Sequence, residues 1–354
     1  MTDAQPPLLK NPLFQLNLMI WLSWASSPSV IRNPIFYANG FELFLLGPTI
    51  PVPPASTVVA TGHNPPINIG RSPKPDLLLC SRADSHFIPL ECKVSSFSST
   101  NHKSRQAMGL LACSGQYVAQ MFDQDLSHRW KSSLIYIVSH PQHTLMQTSL
   151  DSMTATLRGA SVPMSQESAT SIGIEVRDDG VYLHFAMVNK MPFAVHPIEK
   201  VVDSIPGQDP RPLYVVCVDP SLGPDSNDAY GEQVLNEQVR TAFAVQVAAQ
   251  LHQSRVEVKW EDLMKKAISI WDYWDDRDSK NELTLRVKRH LQKVFTQMKS
   301  LGVNVDTAPA SFTIYPIDPA KAKSIRTYLA GAAYRRGILD VMKSTQLGID
   351  FPEA

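Results

Sequence analysis

Cysteine is scarce in this chain: four among 354 residues, Cys80, Cys92, Cys113 and Cys217, none in C-x-x-C spacing. That scarcity argues against a disulfide framework and a cysteine-built zinc site, and it fits a reducing compartment. A hydrophobic run of bilayer length is also missing, since "PLFQLNLMIWLSWASS" is too short and too interrupted to span. Charge of one sign is not in excess: Lys plus Arg and Asp plus Glu stand at 33 each, so no overall field advertises nucleic acid or membrane. The start of the chain has neither a basic n-region nor a small-residue cleavage site. Phosphate-loop, G-x-S-x-G and G-x-G-x-x-G patterns do not occur. These absences predict a soluble cytoplasmic protein with no membrane partner.

What is present suits a protein of about two domains, each with its own core. Hydrophobic residues make up 44% and charged residues 19%, ordinary globular values. The neutral balance conceals a gradient. Residues 101–250 carry 10 basic and 15 acidic side chains, whereas 251–354 carry 17 and 13, so the C-terminal third is the better partner for an anion.

Along the chain, "NPLFQLNLMIWLSWA" reads as a helix apolar nearly all round, hence buried. "GFELFLLG" reads as a strand, and the proline-rich stretch 48–75 as a loop too rigid for regular structure. Strands are predicted at 76–80 and 87–94, a helix at 103–122, and a strand at 132–139. "SIGIEVRDDGVYLHFAMV" alternates around Asp179-Gly180, the strongest hairpin signal in the chain. "RPLYVVCVDP" suggests one more buried strand. Beyond it the pattern is helical, roughly 228–252, 260–272, 282–300 and 320–344, with one strand-like piece, "SFTIYP". The division falls at 1–205 and 206–354.

The segment "PKPDLLLCSRADSHFIPLECKV" (73–94) places charge where sheet core is expected. Asp76 heads the first apolar run. Glu91 and Lys93 interrupt the second and share one face of it, because alternate strand residues point the same way, with Cys92 opposite. If the two strands are neighbours, Asp76, Glu91 and Lys93 converge. Two carboxylates in a partly buried place must be neutralised, and a hard cation such as Mg²⁺ does so through oxygen ligands. A lysine beside it can orient water or balance charge in the transition state. His86 and His102, flanking the motif, read as solvated loop histidines.

Pro75-Asp76, fourteen intervening residues and Glu91-Cys92-Lys93 resemble the signature of the PD-(D/E)XK nuclease superfamily. The resemblance implies a restriction-endonuclease-like α/β fold, a mixed sheet flanked by helices, over roughly residues 12–140. It implies Mg²⁺ or Mn²⁺ held by Asp76, Glu91 and the backbone carbonyl of Cys92, with Lys93 as catalytic lysine. Many members place a glutamine on the following helix, for which Gln106 is the candidate, although a Q-x-x-x-Y spacing fails because Leu110 stands fourth. Some members add an upstream acid, and Glu42 is the only Asp or Glu between Asp3 and Asp76. The implied activity is endonucleolytic hydrolysis of DNA, in a restriction, mobile-element or phage-defence setting. A non-catalytic assembly or recognition subunit and an RNA-processing nuclease are the alternatives.

In the C-terminal part, "SKNE" (279–282) has the form of a capping box. Leu283, Val287, Leu291, Val294 and Met298 follow as an apolar stripe, with Arg286, Arg289, His290 and Lys293 as a basic stripe beside it. Together with the helix before it and "SFTIYP" after it, this predicts a mainly helical, winged-helix-like domain in which Arg286, Arg289 and Lys293 meet DNA. A plain helical domain with a solvated basic face is the other reading. Because DNA affinity comes mainly from neutralised phosphates, the neutral chain is expected to need a partner subunit or a homo-oligomer. The "WDYW" aromatics (271–274) read as core or interface residues.

Overall fold

The first apolar segment forms α1 (Pro12–Leu22), whose Phe14, Leu18, Met19, Ile20 and Leu22 are fully buried. A helix apolar on every side is stable only inside a larger body. The computed structural model describes residues 12–25, 30–98, 103–164, 166–203, 214–218 and 229–331. The chain divides into two compact units. The first is Met1–Leu213 with Tyr273–Asp276, and the second is Tyr214–Asp272 with Arg277–Ala354.

The first unit is built on one mixed sheet of seven strands, neighbours in chain order. They are β1 (Glu42–Leu46), β2 (Leu77–Ser81), β3 (His86–Cys92), β4 (Lys131–Ser139), β5 (Gln166–Arg177), β6 (Gly180–Phe185) and β7 (Ile198–Asp203). Strands β1, β2 and β3 are antiparallel, β3, β4 and β5 are parallel, and β5, β6 and β7 are antiparallel again. Parallel neighbours need a crossover. One is supplied by α4 (Ser104–Leu111) with α5 (Gly115–Met121), the other by α6 (His143–Gly159). Strands β2 and β3 are buried at every position, as strands covered on both faces must be.

Several local expectations need correction. After the short α2 (Ile35–Ala38), the proline-rich stretch contains a helix, α3 (Pro54–Gly62), with Pro53 as N-cap and Pro54 opening the first turn. Proline is tolerated there because its missing N–H has no intrahelical partner anyway. The helix expected at 103–122 is broken at Ala112–Ser114, and Ser114 caps α5 by accepting a hydrogen bond from the Tyr117 N–H at 2.9 Å. Residues Tyr214–Val218 are buried but not a strand, while the rest of "RPLYVVCVDP" lies outside the described residues. The hairpin between β5 and β6 forms, with Arg177 paired to Gly180. Gly180 has φ of +147°, and a Cβ there would stand 2.1 Å from the Val202 carbonyl oxygen, which only glycine avoids.

The second unit contains α7 (Ala229–Gln250), β8 (Val256–Lys259), α8 (Trp260–Ala267), α9 (Arg277–Ser300), β9 (Asn304–Thr307), β10 (Ser311–Tyr315) and α10 (Pro319–Ala330). Its three strands are antiparallel in the order β8, β10, β9. Phe243, Trp260, Phe295 and Phe312 pack ring against ring in its core. The helix predicted at 282–300 starts earlier, at Arg277, so Ser279 lies inside its first turn rather than capping it. Residues of the predicted 320–344 helix beyond 331 lie outside the described residues. Of the aromatics at 271–274, Trp271 and Trp274 are buried, as expected of core residues.

Arg286 is only 6% exposed. It is paired with Glu232 on α7 at 2.6 Å and with Glu282 at 3.5 Å. Its position one residue before Val287 and three after Leu283 turns it toward the apolar stripe, so its assignment to a DNA-facing surface is corrected. Removing the acid that satisfies a buried guanidinium leaves an uncompensated charge. Glu232→Ala is therefore expected to destabilise the second unit by roughly 2–3 kcal/mol, less than a fully sealed pair because Glu282 remains. Arg289→Ala, at an exposed position, should stay within about 0.5 kcal/mol. Urea unfolding monitored on the second unit's tryptophans checks both, and equal midpoints for the two variants would contradict the inward placement.

Candidate active site

Asp76 stands immediately before β2, Glu91 lies in the last turn of the ladder of β3, and Lys93 follows its end. Antiparallel pairing of β2 and β3 matches Leu77 with Leu90, which brings the three side chains to one end of the strand pair. Two hydrogen bonds hold the acids. The Cys92 N–H donates to Asp76 Oδ2 at 2.6 Å, and the Asp76 N–H donates to Glu91 Oε2 at 3.2 Å. Lys93 Nζ pairs with Glu91 Oε1. The Lys93 N–H extends the ladder to the Ile137 carbonyl, and the Gly47 N–H does the same to Asp76 from the other side. The backbone around the acids is thus fixed from both neighbouring strands.

Burial decides the electrostatics. Glu91 is 1% exposed, and Asp76 is half-buried. Burial and then the Asp76 carboxylate push Glu91 up to about 8, with Lys93 opposing them incompletely. For Lys93, burial acts downward, but the carboxylates of Glu91 and Asp76 outweigh it and raise the ammonium. Tyr136, paired with Glu91 across β3 and β4 and buried, is held well above its ordinary range by burial and by the same two acids. Two carboxylates and one lysine thus share a place where burial opposes the charged form of Glu91.

Gln106 does not join the acids directly. Its Nε2 donates to the Lys74 carbonyl at 2.7 Å, two residues before Asp76, so it braces the segment that carries the aspartate. Cys92 contributes its main-chain N–H to Asp76, while burial raises its thiol well above the ordinary range. Glu42 is placed elsewhere: it pairs with Cys80 at the far end of β2 and is exposed. His86 is corrected too. It opens β3, is buried, and meets Ser133 Oγ at 2.9 Å, because the polar loop before it is shorter than its sequence suggested. His102 lies outside the described residues.

Two features had no signal in the sequence. The segment Tyr273–Asp276 returns to the first unit, where Asp276 pairs with Lys74 at 3.6 Å. Among the described residues, His140, Glu175 and His184 also gather, each offering a ligating atom within 4.8 Å of the others. These three come from separate elements and follow no spacing pattern.

On α9, Arg289 and Lys293 are exposed, as a phosphate contact requires, whereas His290 is not part of a charged stripe. Burial, helped by Arg240 and Lys293, pulls His290 down to about 4, and it accepts a hydrogen bond from Arg240 at 3.2 Å. Among the described residues no helix is long and apolar enough to cross a membrane. No protein-family model, curated protein or solved structure matches this chain.

Proposed function

We propose that the chain is a metal-dependent nuclease of the PD-(D/E)XK kind that hydrolyses phosphodiester bonds in DNA. The observation that carries this reading is the convergence of Asp76, Glu91 and Lys93 at the joined ends of β2 and β3. The order helices, strand, helix, two strands, helices, strand, with β1, β2 and β3 antiparallel and β4 parallel to β3, supports a restriction-endonuclease-like core. The donor set fits a hard cation: two carboxylates stand together with one lysine, and Glu91 is raised first by burial and then by the Asp76 carboxylate. Mg²⁺ or Mn²⁺ would be held by Asp76, Glu91 and the Cys92 carbonyl. When bound, such an ion polarises a phosphoryl oxygen and lowers the pKa of water.

The chain's own residues set the geometry. The Cys92 N–H fixes Asp76 Oδ2, and Asp76's own N–H fixes Glu91 Oε2, so neither acid is free to rotate out of line. Lys93 Nζ, a third exposed, is the donor that can orient the attacking water and meet charge growing on the phosphate. Gln106 steadies Lys74 behind them.

In the second unit, the order helix, strand, two helices and two strands, with sheet order β8, β10, β9, supports a winged-helix-like reading. Arg289 and Lys293 on α9 would face phosphate. With no net charge to draw on, a second copy or a partner subunit would complete the DNA surface.

The test is cleavage of plasmid, single-stranded DNA and RNA by the full chain in Mg²⁺, Mn²⁺ or EDTA. Metal-dependent nicking of DNA is the expected outcome. Cleavage that persists in EDTA would remove the proposed mechanism, and cleavage confined to structured RNA would redirect the substrate.

A further inference from the structure

The histidine and glutamate group lies on the same sheet face as the acidic site, but away from it. Register places Glu91, Tyr136 and Ser171 in one row, and Gly173 opposite His184 in a neighbouring row of that face. Strand alternation adds Glu175, two residues after Gly173. From Lys93 beyond β3 to His184 on β6 the sheet spans three strand spacings, roughly 14 Å. No single ion can serve both groups.

The local backbone is shaped to bring His140 into place. β4 ends at Ser139, and the turn His140–Gln142 folds back over β5. It lies on Gly173, where a Cβ would stand 2.8 Å from the His140 Cα and 3.1 Å from the His143 Cβ. The turn is pinned by Ser171 Oγ, which donates to the His143 carbonyl at 2.6 Å, and by His143 Nδ1, which meets the His140 carbonyl at 2.5 Å. The His140 ring then stacks on His184 with centroids 3.7 Å apart. His184 Nε2 meets Glu175 Oε2 at 2.6 Å.

One polar atom in this assembly has no satisfaction from the protein. His140 Nδ1 is sealed from solvent and has no hydrogen-bond partner, a state that ordinarily costs about 1–3 kcal/mol. Arg177 reaches the same Glu175 oxygen that His184 meets, Oε2, at 2.7 Å, and is itself laid over the Tyr182 ring at 4.3 Å, at the exposed rim. The carboxylate is thereby steadied through Oε2 by a guanidinium and an imidazole together.

The geometry points to a binding site for a first-row divalent cation of the Zn²⁺ type, with His140, Glu175 and His184 as ligands. Two imidazoles and a carboxylate are a donor set that suits Zn²⁺ better than Mg²⁺. Ligand atoms about 2.0–2.1 Å from a tetrahedral ion stand about 3.3 Å apart, and side-chain rotation on binding would close the observed spread of up to 4.8 Å. An ion here supplies His140 Nδ1 with the partner it lacks. Three protein ligands leave a position open for water or an anionic oxygen. This site is independent of the nuclease reading and stands or falls separately from it.

The experiment uses the full chain freed of metal with a chelator and titrated with Co²⁺ as a spectroscopic stand-in, then with Zn²⁺ in competition. One equivalent of Co²⁺ is expected to give the visible absorption of a low-coordinate nitrogen and oxygen site, and Zn²⁺ should bleach it. His140→Gln, Glu175→Gln and His184→Ala should each weaken binding by more than the roughly 10–100-fold typical of outer-shell partners. Asp76→Asn and Glu91→Gln should leave the band unchanged. Absence of a stoichiometric band in the wild type would overturn the site. So would a band that survives His140→Gln and Glu175→Gln, which keep polar side chains of similar reach, in variants whose circular dichroism matches the wild type.

Discussion

Lys93→Ala is expected to slow metal-dependent DNA cleavage by about 10²–10³-fold, the usual loss when one preorganised donor is taken from a transition state. Glu91→Gln should do at least as much, because it removes a proposed ligand and half of the acidic pair. The two variants should leave the fold standing. In Lys93→Ala the buried Glu91 has a proton available, since burial and Asp76 already push it up to about 8. In Glu91→Gln an acid whose charged form burial already disfavours is replaced by a neutral group of the same shape, which removes that desolvation cost. Activity and stability should therefore separate: cleavage falls steeply, while the thermal midpoint holds or rises for Glu91→Gln. A Lys93→Ala chain that cuts plasmid at the wild-type rate would rule out the proposed role. So would a loss of cleavage accompanied by unfolding, because the effect would then be structural.

The second large effect concerns the segment that presents Asp76. Gly109 on α4 lies so close to the loop before β2 that a Cβ would stand 2.4 Å from the Gly70 carbonyl oxygen and 3.2 Å from Pro73. Gly70 in turn approaches α4, its N–H donating to the Arg105 carbonyl at 2.8 Å, and a Cβ there would lie 2.9 Å from that oxygen. Two glycines thus let the loop and the helix touch backbone to backbone. The clash involves main chain on both sides, so it cannot be relieved by rotating a side chain. Gly109→Val is expected to cost about 3 kcal/mol, at the upper end of overpacking penalties. It should also lower cleavage, because Gln106 holds Lys74 from the same helix. Gly62→Ala is the matched control: it ends α3 with nothing within 4 Å of its Cβ, and should be neutral or stabilising by up to about 1 kcal/mol. Urea midpoints of the two variants provide the comparison, and equal midpoints would show that the loop moves aside freely.

Much of the acidic site was legible because the relevant residues are close in sequence and governed by local rules. Strand alternation put Glu91 and Lys93 on one side, and the apolar runs around the charges marked β2 and β3 as sheet core. The hairpin at Asp179-Gly180 announced itself through turn chemistry, and α1 through its apolar circumference. Other features were misread where two local rules competed. The prolines of 48–75 suggested a loop, yet proline at a helix start permits α3. The basic stripe on α9 merged side chains that the helix separates, since Arg286 turns inward to Glu232 while Arg289 and Lys293 turn out.

Nearness along the chain settled the identity of the charged trio and the strands that carry it, because periodicity and turn preference act over a few residues. Packing alone settled which distant groups meet. His140, Glu175 and His184 come together only because a glycine at 173 lets one turn lie on the sheet, and Asp276 reaches Lys74 only because a short segment returns to the first unit. Neither encounter has a spacing that one-dimensional order could reveal, since each depends on strand pairing and on the space left by absent side chains.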